Sequence, residues 1–375
     1  MDQNPVNTPH TKPSPRILGS VLVRALILLV IFLGLAVVLD PAGALGKVSL
    51  YNNLIPGRER FPYGENPQKS YNMTINDLDA MFASHRVSRP RQSDEFRVFI
   101  FGDSSVWGTL LSNEQTFAGM LNEQAIKTCD GRQFVFYNLG YPTLSLQKDA
   151  LFINHAMKYE PDLILWPLTL ESFPGMNPST SPLLGFNREE VKRLFPASDL
   201  PAEKDQTIWD RVQEQRRGLA DWIRFQIYGV MWAATGIDQD LFQEWQPAQR
   251  DFDPDSTFNN KEKFDLAAAL DFTPLTTGIS LAGDTPVWLV NEPILISSGE
   301  NSAIRYNFFY PRWAYDDYRQ ALQDEANANG WTYLDLWNLV PEGEFTNSAI
   351  HLTPAGQRLL AERIAREIER NLECE

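Results

Sequence analysis

Two stretches of the chain, residues 97–172 and 285–372, alternate short apolar runs with helical patterns, and this rhythm constrains the fold more than any other feature. Arg97–Phe101 reads as a buried strand that ends at Gly102, and Ser112-Asn113-Glu114-Gln115 has the form of a capping box that opens a helix to about Lys127. Phe134–Leu139 reads as a second strand, Ser145–Tyr159 as a second helix and Asp162–Thr169 as a third strand. In the later block a strand lies within Pro286–Ile296, and a helix over Pro311–Asn329 is stopped by Gly330. Trp331–Trp337 follows as a strand, and a last helix is capped by Thr353, has Pro354 at its first position and runs to about Leu372. Alternation of this kind predicts a doubly wound α/β fold: a parallel sheet with helices on both faces and function at the carboxyl ends of the strands.

Residues 173–284 break the rhythm and read as a mostly helical insertion. Its clearest element is a helix over about Ile208–Ala234, with Leu219, Ile223, Ile227, Val230 and Met231 on one face and Trp222 and Trp232 beside them. Such a stripe fits a lid or buttress packed on the domain; it also fits a helix resting on a membrane surface or lining an acyl pocket.

Residues 1–16 read as a polar tail, and residues 17–39 form an apolar run whose single charge is Arg24. At about 1.5 Å per residue this run reaches roughly 34 Å, enough to span a membrane. Lys12 and Arg16 precede it and Asp40 and Lys47 follow, which predicts a single-pass anchor with a cytoplasmic N-terminus and an extracytoplasmic domain. Ala42-Gly43-Ala44 has the small-x-small form of a cleavage site, so a cleaved signal peptide is the alternative. Residues 40–96, rich in Pro, Gly, Asn and Arg, read as a connector packed on the domain that occupies 97–372.

The formal charge of -15, from 33 basic and 48 acidic residues, opposes a polyanionic partner and excludes nucleic-acid binding as an expectation. Cys129 and Cys374 are too few for a disulfide scaffold and pair once or not at all. Asn72-Met73-Thr74 matches a glycosylation acceptor. There is no glycine-rich phosphate loop and no His-Glu-x-x-His pattern, so neither a metal nor a nucleotide cofactor is expected.

Gly102-Asp103-Ser104 places a serine directly after a strand, where glycine permits a tight turn. A serine hydroxyl needs a base, most often histidine. Of the four histidines, His10 precedes the apolar run, His85 lies in the connector and His155 lies inside a helix. His351 stands before the capped last helix, so Ser104 and His351 are the best pair. Asn291-Glu292-Pro293 ends a strand at the same edge and is a candidate substrate contact.

These motifs together resemble the SGNH or GDSL hydrolase superfamily, serine esterases and acyltransferases on a flavodoxin-like three-layer α/β/α sheet. The resemblance rests on Gly102-Asp103-Ser104, on the glycine of Asn138-Leu139-Gly140-Tyr141-Pro142, on Pro161-Asp162-Leu163-Ile164 and on His351-Leu352-Thr353-Pro354, in that order. It implies Ser104 as nucleophile, His351 as base and the amides of Ser104 and Gly140 as oxyanion donors. The family's further donor, an asparagine, falls at Glu171, and an ionised carboxylate cannot donate; either Glu171 points away, or it is protonated, or Thr169 or Ser172 takes over. The family's aspartate falls at Ser348, with Asn347 beside it as a stand-in orienting group. The implied substrate is an acylated small molecule or cell-surface glycan, cleaved or transferred through an acyl-serine. The alternative is a binding or assembly protein of the cell envelope that kept the fold without the chemistry.

Overall fold

The inner strands form where an apolar run can be buried on both sides, whereas the edge strand Thr332–Asp335 is only part-buried. Strands β1 (Glu95–Ile100), β2 (Gln133–Asn138), β3 (Leu163–Leu168), β4 (Val287–Asn291) and β5 (Thr332–Asp335) pair in parallel in the order β2-β1-β3-β4-β5. Phe99 and Phe101 enter one hydrophobic cluster while Val98 and Ile100 enter the other, the alternation that a sheet covered on both faces requires. Helices Leu146–Ala156, Thr273–Ala282 and Arg312–Asn329 contribute Leu151, Leu275 and Tyr318 to the first cluster. Helices Phe117–Glu123 and Pro354–Asn371 contribute Leu121 and Ile364 to the second. The three-layer α/β/α architecture and its flavodoxin-like strand order follow. This computed structural model describes residues 15–54, 57–63, 74–75, 77–179, 181–198, 200, 207–239 and 244–371.

Pro167 sits within the central strand β3, yet breaks no ladder. The β1–β3 register runs from Val98↔Leu163 to Ile100↔Leu165, so the missing N–H of Pro167 falls beyond the end of that pairing. With strand order β2-β1-β3-β4-β5, the carboxyl ends of β1 and β3 are the topological switch point at which a doubly wound sheet places its site.

The helix expected from Ser112 to Lys127 is corrected. Gln115 accepts the Ser112 amide at 3.1 Å, but the box closes only a 3-10 turn, Asn113–Gln115. The helix proper starts after its own cap, Thr116, and stops at Glu123 because Ala125 takes a φ of 49°. The last helix has the expected cap, with Thr353 Oγ1 accepting the Gly356 amide at 3.2 Å.

The connector contains short helices Pro41–Gly46, Leu50–Leu54 and Leu78–Ser84, and buries Phe61, Met81, Phe82 and Val87 in the first cluster. The insertion helix, Ile208–Thr235, packs Asp221, Phe225 and Gly229 inward. Gly229 is required by close approach, since a Cβ there would stand 2.7 Å from the Tyr51 ring. Beneath it Arg58 is buried between the Tyr51 and Phe225 rings and pairs with buried Asp238.

Among the described residues, no helix is long and apolar enough to cross a membrane. The N-terminal helix Pro15–Leu39 exposes Leu22, Leu28 and Phe32. Cys129 is disulfide-bonded, whereas Cys374, Asn72 and His10 lie outside the described residues.

Candidate active site

The turn after β1 is built by Gly102, whose φ of 148° and 2.6 Å Cβ approach to Val106 Cγ2 leave no room for a side chain. It leads into the short helix Ser104–Trp107, capped by the Asp103 carboxylate, which accepts the Ser105 amide at 2.7 Å. On the other side, the His351 carbonyl accepts the Thr346 amide at 2.9 Å, and Phe345 bridges to Leu352, so the loop before the last helix is closed. The two loops meet: His351 Nε2 lies 2.8 Å from Ser104 Oγ, across 247 positions of sequence. Both residues remain partly exposed.

If Ser104 donates to Nε2, the proton on the neutral imidazole sits on Nδ1. That buried nitrogen has no partner among the described residues, so the pair is a dyad. Burial holds the imidazole pKa below its ordinary value, opposed by the Asp103 carboxylate. Asp103 therefore favours the imidazolium formed during proton transfer.

Asn347 as the orienting group is a correction. It adopts a left-handed φ of 48°, and its Oδ1 accepts from the Gln246 amide and the Thr346 hydroxyl, both at 2.7 Å. Its Nδ2 donates to the Glu244 carbonyl at 2.8 Å, so Asn347 fastens residues 244–246 of the insertion to the histidine loop. Asn347→Ala should lose about 1–3 kcal/mol of stability by denaturant titration, through unpaired polar groups and an unfavourable φ. Asn347→Gly should lose less, because glycine keeps the backbone conformation.

The oxyanion candidates divide. The Ser104 amide stands at the first position of its helix, where an N–H has no intrahelical acceptor. The Gly140 amide instead meets Asn138 Oδ1 at 3.2 Å, a bond that must be exchanged before it can serve an oxyanion. Glycine is needed there, since a Cβ would lie 2.8 Å from the Trp107 amide. Glu171 follows β3 in a 3-10 turn and is buried, and desolvation, reinforced by Asp103, raises its carboxyl pKa to about 7. Thr169 is engaged with Tyr310 at 3.2 Å, and Ser172 Oγ accepts the Thr169 amide at 3.4 Å.

Asn291 is not poised for substrate: its Oδ1 accepts from Tyr315 and Tyr318 at 3.0 and 3.1 Å, inside the core. Glu292 is buried and accepts the Ser105 hydroxyl, and its other oxygen, Oε1, has no partner among the described residues. Burial and Asp103 push its pKa well up, favouring the acid form.

Two supports escaped the sequence reading. Lys148 is buried and donates to the carbonyls of Gly102 at 2.6 Å and Tyr141 at 3.1 Å, tying the turn before Ser104 to the loop after Gly140. Arg60 donates to the carbonyls of Trp107 and Gly108 at 3.2 and 3.0 Å, closing the helix that bears Ser104. Among the described residues no group of three His, Cys, Asp or Glu is arranged to hold a metal ion.

No family model and no curated protein matches the chain. Solved structures that align with it include a lipolytic G-D-S-L family member from Veillonella parvula, at 11% identity, 73% coverage of this chain and 98% of that one, and a TM-score of 0.37. An aryl esterase from M. smegmatis aligns at 13% identity, with 73% and 98% coverage and a TM-score of 0.36. A carbohydrate acetylesterase from Sinorhizobium meliloti aligns at 12% identity, with 73% and 99% coverage and a TM-score of 0.36.

Proposed function

We propose that the protein is a serine esterase or O-acyltransferase that works through an acyl-serine. The observation that supports this reading is the 2.8 Å contact of Ser104 Oγ with His351 Nε2 at the carboxyl edge of the sheet. Ser104 Oγ attacks the ester carbonyl while Nε2 takes the hydroxyl proton, giving a tetrahedral oxyanion and an imidazolium. Collapse breaks the bond to the alkoxide, which leaves with the proton from Nε2. Water or a glycan hydroxyl then attacks the acyl-serine in the same way, giving hydrolysis or transfer.

Glu171 in its acid form is a donor to the oxyanion, joining the Ser104 amide. The pH dependence follows from the two titrations. Activity rises as His351 loses its proton, below the ordinary 6.5, and falls as Glu171 ionises at about 7. The expected profile of kcat/KM on an aryl ester is a bell. Glu171→Gln, a permanent donor, should remove the alkaline fall and leave the acid limb; an unchanged bell would exclude Glu171 from the reaction.

We place the domain outside the cytoplasm, anchored by the N-terminal helix. The apolar run of residues 17–39 supports an anchor, and the disulfide at Cys129 fits an oxidising compartment. An acylated cell-surface glycan is the substrate class that suits this location. The unpartnered His351 Nδ1 favours the second reading, a binding protein of the cell envelope. Labelling by a fluorophosphonate distinguishes them, because only an activated serine reacts.

A further inference from the structure

The insertion helix Ile208–Thr235 presents two opposite faces. Asp221, Phe225 and Gly229 recur at four-residue spacing and pack inward, and Trp222 Nε1 donates to the Val48 carbonyl at 3.1 Å from the same side. Half a turn away, Ile223, Ile227, Val230 and Met231 are exposed by 51%, 62%, 42% and 53%. A second copy, another protein or lipid could cover such a stripe, and two features of the chain select lipid.

The first is position. The insertion helix contacts the N-terminal helix directly. Gln215 donates to Asp40 at 2.6 Å and accepts the Ala42 amide at 3.4 Å, so it stands beside the residues that follow Leu39. The second is charge. In a chain of net charge -15, this helix carries Arg211, Arg216, Arg217 and Arg224 against Asp210, Glu214 and Asp221. Asp221 is turned inward and paired with Arg224. Exposed Trp209 shares the outer face with Arg216, and Arg217 and Arg224 flank it. An apolar stripe edged by arginines and a tryptophan suits the boundary between acyl chains and anionic headgroups.

We propose that the insertion helix lies on the lipid surface, with Ile223, Ile227, Val230 and Met231 among the acyl chains of an anionic bilayer. The helix then holds the domain against the membrane at a second point beside the anchor. The proposal takes its orientation from the anchor reading, and the experiment separates the two.

Full-length protein carrying Leu28→Cys, Ile227→Cys or Gln323→Cys, each labelled with an environment-sensitive fluorophore, is reconstituted into phosphatidylcholine vesicles with or without phosphatidylglycerol. Gln323, exposed on the helix Arg312–Asn329, is the reference for water. The Ile227→Cys label should be blue-shifted, lose quenching by aqueous iodide and gain quenching by brominated acyl chains, more so with phosphatidylglycerol. Iodide quenching equal to that of the Gln323→Cys label, with Leu28→Cys quenched by brominated lipid, overturns the surface contact and leaves the anchor standing. Bromine quenching at Ile227→Cys without any at Leu28→Cys keeps the surface contact and removes the anchor. Protection from iodide without bromine quenching means that protein covers the stripe, and overturns the proposal.

Discussion

Ser104→Ala is expected to lower turnover of a short-chain aryl ester by about 10²-fold or more, and to remove fluorophosphonate labelling altogether. The size follows from the dyad. In a full triad, loss of the serine costs about 2 × 10⁶ in kcat and loss of the acid alone about 3 × 10⁴. An enzyme already without the acid therefore retains roughly 10²-fold that depends on the nucleophile. The Asp103 carboxylate, which favours the imidazolium, moves this figure upward. His351→Ala should cost a similar factor, and the double variant little more, because the two groups act as a unit. Fluorophosphonate labelling of the unaltered protein at Ser104 would support the enzyme. Hydrolysis that survives Ser104→Ala would remove the nucleophile. If the unaltered protein neither hydrolyses nor labels, the binding-protein reading stands.

The pairing of Ser104 with His351 was legible because each residue sits at a punctuation mark of the alternating pattern. A glycine turn follows the first strand, and a Thr-Pro cap precedes the last helix. Periodicity and capping are local, and they position residues even when the partners are 247 positions apart. What failed was tertiary. Asn347 stands four residues before His351, and nothing local shows that Glu244 and Gln246 of the insertion bind it. The state of Glu171 was equally hidden, since burial and the Asp103 charge set its pKa and neither is a property of sequence neighbours. Lys148 reads in sequence as an ordinary helix lysine; only the fold brings the carbonyls of Gly102 and Tyr141 to its ammonium.

Arg58→Met should destabilise the protein by about 3–5 kcal/mol, measured as the free energy of denaturant unfolding. Arg58 and Asp238 are both fully buried, and each anchors a different part of the chain: the connector and the 3-10 turn Ile237–Gln239 that follows the insertion helix. The guanidinium also donates to Tyr51 at 2.8 Å and to the Gly229 carbonyl at 3.3 Å, and its plane meets the rings of Tyr51 and Phe225. Asp238 Oδ1 has no partner of its own among the described residues, so removing the cation leaves a buried carboxylate without compensation. Methionine fills much of the volume and keeps the apolar contacts, which confines the loss to charge and hydrogen bonds. Arg58→Met combined with Asp238→Leu should recover most of the stability, because a buried pair replaced by apolar groups is often neutral or better. A single-variant loss under about 1 kcal/mol would mean that water already reaches the pair. Since this pin holds the insertion helix to the connector, Arg58→Met should also loosen the outer stripe while leaving the 2.8 Å Ser104–His351 contact to the sheet loops that build it.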